Sequence, residues 1–495
     1  MSMKIDSYSS GFTSHMLTES KISIEDLKSA VFKGGKALFL RHIAGFLINF
    51  TGSLILARIL GPEIIGLYFI SYTVFIICRG IIDFGIKTHF IRLPLIPSST
   101  ECSTAFTLQQ GLAVLSLLIT VLILSPFSAY WYDHKELIYL IASAGIGAYF
   151  YSWHSIPIAL MERRFEYKKV GIVEVSEILI FNLAAVICTF AGAGILGLIL
   201  GNILRGFLPA LLSVTLTRFR PGLLTNKKAI ISLIHTVYPI FGSEFTVWLI
   251  VLAPPILVGS IAGVKALGMA QLAYTVLGYT MIIATIFQRI SLTTFSRLQN
   301  EKELFNNAVH KALQLLAFIY IPLTMGIASL SPWWVPVIYG YKWSGMENVI
   351  LIAALPVTAS ALFSIILSAL ISKGHVDVVL KQNILHAVIY WISMAILASP
   401  LDALSVPVTH LIAMSAGYLF IYGYNKYCGK LDYKTVTLSF IIGGGIMFIS
   451  WHSTVKGNMV IPFIGWGAFL VVSLFISAGV KETVITSFNT YKGKL

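Results

Sequence analysis

The sequence predicts an all-α membrane protein of about fourteen transmembrane helices: two six-helix halves running in the same direction, followed by two further helices. Three observations carry that prediction. Hydrophobic residues make up 57% of the 495 and charged ones 11%, against roughly 45–50% and about 25% in soluble globular domains. Apolar stretches near the ~20-residue crossing length recur from Ala37 almost to the C-terminus, leaving no segment long enough for a soluble domain. Finally, "ILGPEIIGLYFISY", from Ile59 to Tyr72, returns without a gap as "IAGVKALGMAQLAY", from Ile261 to Tyr274.

Residues 1–36 read as a cytoplasmic segment. Their opening, "MSMKIDSYSSGFTSHMLTES", is Ser/Thr-rich, with neither the apolar run nor the small-residue cleavage site of a removable signal peptide. In "SIEDLKSAVF", Ser23 and Asp26 form a capping-box pattern and Ile24, Leu27 and Val31 recur at helical spacing. This is either a short helix lying on the membrane surface or an extension of the first span. Spans are then expected at about residues 37–59, 64–85, 103–125, 137–160, 171–190 and 193–215, which form a first lobe over 37–215. After a linker at 216–232, spans at about 233–260, 266–288, 310–330, 347–372, 380–399 and 403–424 form a second lobe over 233–424. The extra pair, at about 434–452 and 458–480, fills 434–480, and 481–495 is a tail.

The charge pattern tests this map. Of the 35 Lys and Arg, 27 fall in segments on one side, four (Lys135, Lys265, Lys342 and Lys456) on the other, and four (Arg41, Arg58, Arg79 and Arg205) inside spans. Short cytoplasmic loops collect basic residues, so the bias places both termini in the cytoplasm and requires an even number of spans. It also accounts for the net charge of +14 without nucleic acid, since the basic residues lie in short loops and not on one face of a domain. Cys78, Cys102, Cys188 and Cys428 are scattered, two of them inside spans, and point to neither a disulfide framework nor a metal cluster.

On this map the two copies of the repeat are equivalent, each covering an outer helix end, a tight turn and the start of the next helix. Six spans separate them, so the repeat is parallel, an arrangement that lets two halves rock about a site between them. Gly61 and Gly66, with Gly263 and Gly268, suit tight turns and close helix approach.

"LARILGPEIIGLY", then "DFG" at Asp83 to Gly85, "ALMERRFEY" and "VIYGYKW" occur in this order at matching topological places. From about Gly34 to at least Leu385 the chain resembles the polysaccharide (Wzx-type) flippases of the multidrug/oligosaccharidyl-lipid/polysaccharide exporter superfamily. The resemblance implies a V-shaped pair of six-helix lobes around a central cavity. It also implies movement of undecaprenyl-diphosphate-linked sugar repeat units from the inner to the outer leaflet of a bacterial inner membrane, among membrane lipids; a polysaccharide polymerase and chain-length machinery are open as further partners. One departure is "GGKAL" at the first span, where relatives often carry Trp after Gly-Ala.

Charges inside spans cost about 2.5–3.5 kcal/mol each on insertion scales, so they point to function. Arg41, Arg79 and Arg205, all in the first half, suit a diphosphate because the guanidinium fork meets phosphate oxygens bidentately and stays charged. Two have a structural alternative: Arg41 near a helix end can snorkel, and Arg79 stands four residues before Asp83 and can pair with it, whereas Arg205, deep beside Asn202, has little chance of reaching water and reads with Asn202 as substrate-binding. Arg58 reads as an outer-surface anchor. Glu244, which follows Pro239 and Gly242, is either a site of coupling to H+ or Na+, a role also open to Asp83, or the structural partner of an Arg in the other lobe. Glu174 and Glu177, near Lys168 and Lys169, read as a solvated ion-pair cluster, and His235, His386 and His410 as core histidines without metal-ligand spacing. Trp333, Trp334 and Trp343 fit an aromatic belt or a sugar-stacking surface.

A transporter is expected, not an enzyme. A polymerase or ligase needs catalytic groups in a substantial outer loop, and the longest such loop, around Ser331 to Gly345, has no acid pair. A drug or cation antiporter of the same superfamily should have an acidic or aromatic cavity, whereas these candidates are mainly Arg. A peptidoglycan-precursor flippase differs only in cargo.

Overall fold

The computed structural model describes residues 24–476 apart from 94–96, 221, 224–226 and 432, with side chains from residue 41 onward except at 239, 240, 243, 244 and 474–476. The first lobe holds α1 (Ile24–Leu60), α2 (Pro62–Asp83), the short α3 (Ile86–Arg92), α4 (Ser99–Tyr132), α5 (Glu136–Tyr151), α6 (Ser155–Arg163), α7 (Tyr167–Phe190) and α8 (Gly194–Thr217). The second holds α9 (Lys227–Ala253), α10 (Val264–Gly278), α11 (Met281–Leu298), α12 (Lys302–Ser329), α13 (Ser331–Ile338), α14 (Met346–Ser372), α15 (Val376–Leu401), α16 (Ser405–Ala413) and α17 (Tyr418–Tyr427). The extra pair, α18 (Lys434–Val455) and α19 (Val460–Ile476), packs on α12. No strand occurs among the described residues.

The amphipathic turn at Ile24 is continuous with the first span: α1 runs unbroken for 37 residues. By length and composition, nine described helices can cross a membrane, ten if the α10–α11 pair, bent by 49°, counts as one. The fourth span is split into α5 and α6, and Val376–Tyr427 is a single apolar run of 52 residues. Straight, that run would measure about 78 Å, more than twice the bilayer core. It reverses at Asp402 (φ 45°), which folds α16 back along α15 and brings the His410 ring to 5.7 Å from that of His386.

The repeat is a structural equivalence. Gly61 (φ 85°, ψ 169°) and Gly263 (φ 91°, ψ 161°) sit in the same position, one residue before α2 and α10, in backbone geometry that only glycine adopts readily. The two helices then cross each other. A Cβ on Gly66 would run into the carbonyl of Val264, and a Cβ on Gly268 into the carbonyl of Pro62. One 202-residue offset relates both members of the pair, so the lobes meet there about a local two-fold.

Further ties join α1 to the second lobe at this same end, away from the Lys/Arg-rich loops. Arg58 Nη1 donates to the carbonyls of Val337 (2.6 Å) and Ile338 (2.5 Å), the last two residues of α13, where helix carbonyls are free and the dipole favours a cation. Trp343, fully buried, donates from Nε1 to the Ala57 carbonyl at 2.9 Å. Arg58, exposed at this end, thus also straps the two halves together. Trp343 is an interior plug, while Trp333 is the exposed residue of the three.

Candidate functional site

Between the lobes lies a cavity of about 720 Å³. It stops at Leu56 and Ile65, beneath the glycine crossing, and extends toward the basic end as far as Arg41, His42 and Thr285. Its first-lobe wall is brought together by glycines: a Cβ on Gly52 would run into the Asn182 amide, and one on Gly45 would stand 3.1 Å from Ile178. These two glycines let α1 lie close along α7. Spacings of three and four then put Glu174, Glu177, Ile178 and Phe181 of α7 on one face toward the cavity.

Arg41, Arg79 and Arg205, from α1, α2 and α8, all line this cavity. Arg41 pairs with Glu174 and lies 2.9 Å from His42 Nε2. Arg79 Nη1 donates to Glu177 at 3.0 and 3.4 Å, and its guanidinium stands 4.4 Å over the Tyr151 ring. Arg205 donates from Nη2 to the same Glu177 at 3.4 Å and is enclosed by Phe75, Tyr72 and Phe181, at 4.3, 5.0 and 5.1 Å. Its Nε and Nη1 are buried without a hydrogen-bond partner. Three guanidiniums facing two carboxylates leave a net positive charge among these five groups. The opposite wall, made by Leu272, Thr275, Gly278, Tyr279, Met281, Ile282 and Thr285, is uncharged.

The remaining candidates lie elsewhere. Arg79 does not pair with Asp83: it reaches across to α7, while Asp83 points away from the cavity and accepts a hydrogen bond from Ser155. Asn202, fully buried, does not line the cavity either. Its Nδ2 donates to Ser71 (3.0 Å) and Ser143 (3.3 Å), which ties α8 to α2 and α5. The side chain of Glu244 lies outside the described residues. Glu174 and Glu177 form no solvated cluster with Lys168 and Lys169, because they are the counter-ions of the cavity arginines. The signal for them was present in the sequence: two acids three residues apart in a lobe with three buried Arg must find those Arg if both are in lipid.

Residues 55–348 match the model of a family described as "Polysaccharide biosynthesis protein". The chain belongs to that family. It is 24% identical over 343 residues to the lipopolysaccharide biosynthesis protein WzxC of Escherichia coli (strain K12), covering 68% of each chain. With the teichuronic acid biosynthesis protein TuaB of Bacillus subtilis (strain 168) it shares 22% identity over 286 residues, or 56% of this chain and 58% of that one. Among solved structures it resembles the lipid II flippase MurJ in an inward closed conformation, with a TM-score of 0.68, 16% identity, and coverage of 92% of this chain and 100% of that one. It also resembles an inward-facing multidrug resistance MATE family transporter of the MOP superfamily (TM-score 0.59, 13% identity, coverage 77% and 94%). The fold is the one these two structures share, and the protein is a multi-pass membrane protein of the polysaccharide biosynthesis family.

Proposed function

We propose that this protein moves undecaprenyl-diphosphate-linked oligosaccharide from the inner to the outer leaflet of a bacterial inner membrane by alternating access. The observation that carries the reading is the convergence of Arg41, Arg79 and Arg205 on one cavity, none of them turned to lipid, with two donors of Arg205 unpaired. A diphosphate supplies the acceptors those donors lack. It can enter by displacing Glu177, whose carboxylate holds Arg79 and Arg205 in place meanwhile. With the basic loops in the cytoplasm, the state described here has its outer end closed at Gly66 and Gly268 and its cavity facing inward.

The glutamates also bear on the outward step. Outward passage of an anion gains roughly 2.3 kcal/mol per charge per 100 mV, while every uncompensated cavity cation that turns outward with it works against the same field. Glu174 and Glu177 cut three such charges to one. A coupled cation at Glu244 is the further element of this reading. The net positive cavity disfavours the drug-antiporter alternative; a peptidoglycan-precursor flippase shares the mechanism and differs in the sugar.

Deletion of the gene is the test. A diphosphate-linked oligosaccharide should build up on the cytoplasmic leaflet and clear on complementation with the parent, but not with Arg79→Ala or Arg205→Ala. If drug tolerance changes and no such lipid accumulates, the reading is wrong.

A further inference from the structure

The second lobe shows the cavity a neutral wall, yet one layer behind that wall it holds two buried histidines. His386 of α15 and His410 of α16 stand edge to face at 5.7 Å, with Tyr390 packed 6.0 Å from the first and 6.1 Å from the second. Tyr274 of α10 brings its hydroxyl to 2.9 Å from His410 Nδ1. The Ala413 carbonyl faces His386, whose Nδ1 is buried and unpartnered. Packing does not explain that nitrogen, because an unsatisfied buried polar atom opposes folding and a similar-sized apolar ring would avoid it.

We propose that His386 and His410 form a proton-binding site of the second lobe, read through Tyr274 by α10, the helix that carries both Gly268 and part of the cavity wall. The proposal rests on the alternating-access reading. In the neutral tautomer that carries its proton on Nε2, His410 accepts at Nδ1 from the Tyr274 O–H. A proton taken up on Nδ1 reverses the bond: the imidazolium then donates and the Tyr274 oxygen accepts, so the Tyr hydroxyl hydrogen must turn elsewhere. His386 Nδ1 is the second acceptor, and at this separation the two rings titrate as a coupled pair. The response has a mechanical route, since α10 joins α11 at a 49° bend immediately beyond Tyr279, a cavity residue.

The neighbours are few. Tyr274 and Tyr390 are the titratable groups in contact with the pair among the described residues. Lys265 of α10, Glu347 of α14, Asp377 of α15 and Lys426 of α17 stand in terminal turns of their helices, and Lys381, one turn further into α15, pairs with Asp377 at 3.4 Å. On α9, the Leu249 carbonyl accepts from Trp391 Nε1 of α15 at 2.8 Å, which fixes the register of two parallel helices. Glu244 precedes Leu249 by the same five residues that separate His386 from Trp391, so its backbone lies near the level of the pair.

A charge at the pair meets no counter-ion among the described side chains, so acid should depopulate this state. Purified protein with its four cysteines replaced, carrying spin labels at Lys168→Cys and Val376→Cys, reports the separation of the lobes at the basic end. Between pH 8 and pH 5, the range in which histidine ordinarily titrates, the parent should move several-fold in population. Tyr274→Phe and the double variant His386→Gln/His410→Gln should hold that change below twofold. If the double variant aggregates, His386→Asn and His410→Asn must each reduce the change. A parent indifferent to pH overturns the proposal, as does a double variant that behaves like the parent, or a response lost in Glu244→Gln but kept in the double variant. No cargo is present, so the outcome is independent of which lipid is carried.

Discussion

Gly268→Ala tests the closure of the lobes most directly. One added methyl meets the Pro62 carbonyl and the backbone nitrogen of Gly66, both fixed main-chain atoms at the head of α2, and no flexible side chain can move aside to admit it. Overpacking of this kind costs about 1–3 kcal/mol. If only the outer-closed state bears that cost, the ratio of closed to outward-open molecules falls by roughly 5- to 150-fold, since about 1.4 kcal/mol is tenfold. The assay is labelling of Leu56→Cys, a residue at the closed end of the cavity, by a membrane-impermeant thiol reagent added outside. Labelling should rise by that factor in Gly268→Ala and in its symmetry mate Gly66→Ala. Gly111→Ala is the control, because a Cβ there meets open space. Equal labelling in Gly268→Ala and Gly111→Ala would refute the reasoning, since the crossing would then not form the outer closure.

Three other perturbations discriminate among the contacts. Glu177→Gln strips the shared counter-ion from Arg79 and Arg205; a buried pair broken on one side loses about 3–5 kcal/mol, so the purified protein should melt earlier, while its affinity for inorganic pyrophosphate, measured calorimetrically, should increase. Asn202→Ala removes two interhelical hydrogen bonds worth about 0.6–2 kcal/mol each; denaturant midpoints should fall, and export at permissive temperature should persist if Asn202 is a packing residue and not a cargo ligand. Trp343→Ala should cost about 3–5 kcal/mol and free the outer end of α1, seen as faster outside labelling of Leu56→Cys, whereas Trp333→Ala, at an exposed ring, should leave both readouts near the parent.

The sequence by itself determined what depends on local composition and on the membrane as solvent. An apolar run near crossing length must be a helix, because lipid leaves its backbone no other partner, and Asp402 at the head of the α15–α16 reversal does not disturb that count. The 202-residue repeat was legible because Gly61 and Gly263 answer the same backbone demand. The three cavity arginines were legible as charges out of place. Pairing was not, because partners are chosen across helices: nothing local to α2 says that Arg79 turns from Asp83, four residues away, to Glu177, 98 away, or that Asn202 faces Ser71 and Ser143 and not the cavity. The contacts that Arg58 and Trp343 make across the halves were hidden for the same reason. The tertiary structure decided these matters, since which face of each helix looks inward is set by where glycines such as Gly45, Gly52, Gly66 and Gly268 let neighbouring backbones approach.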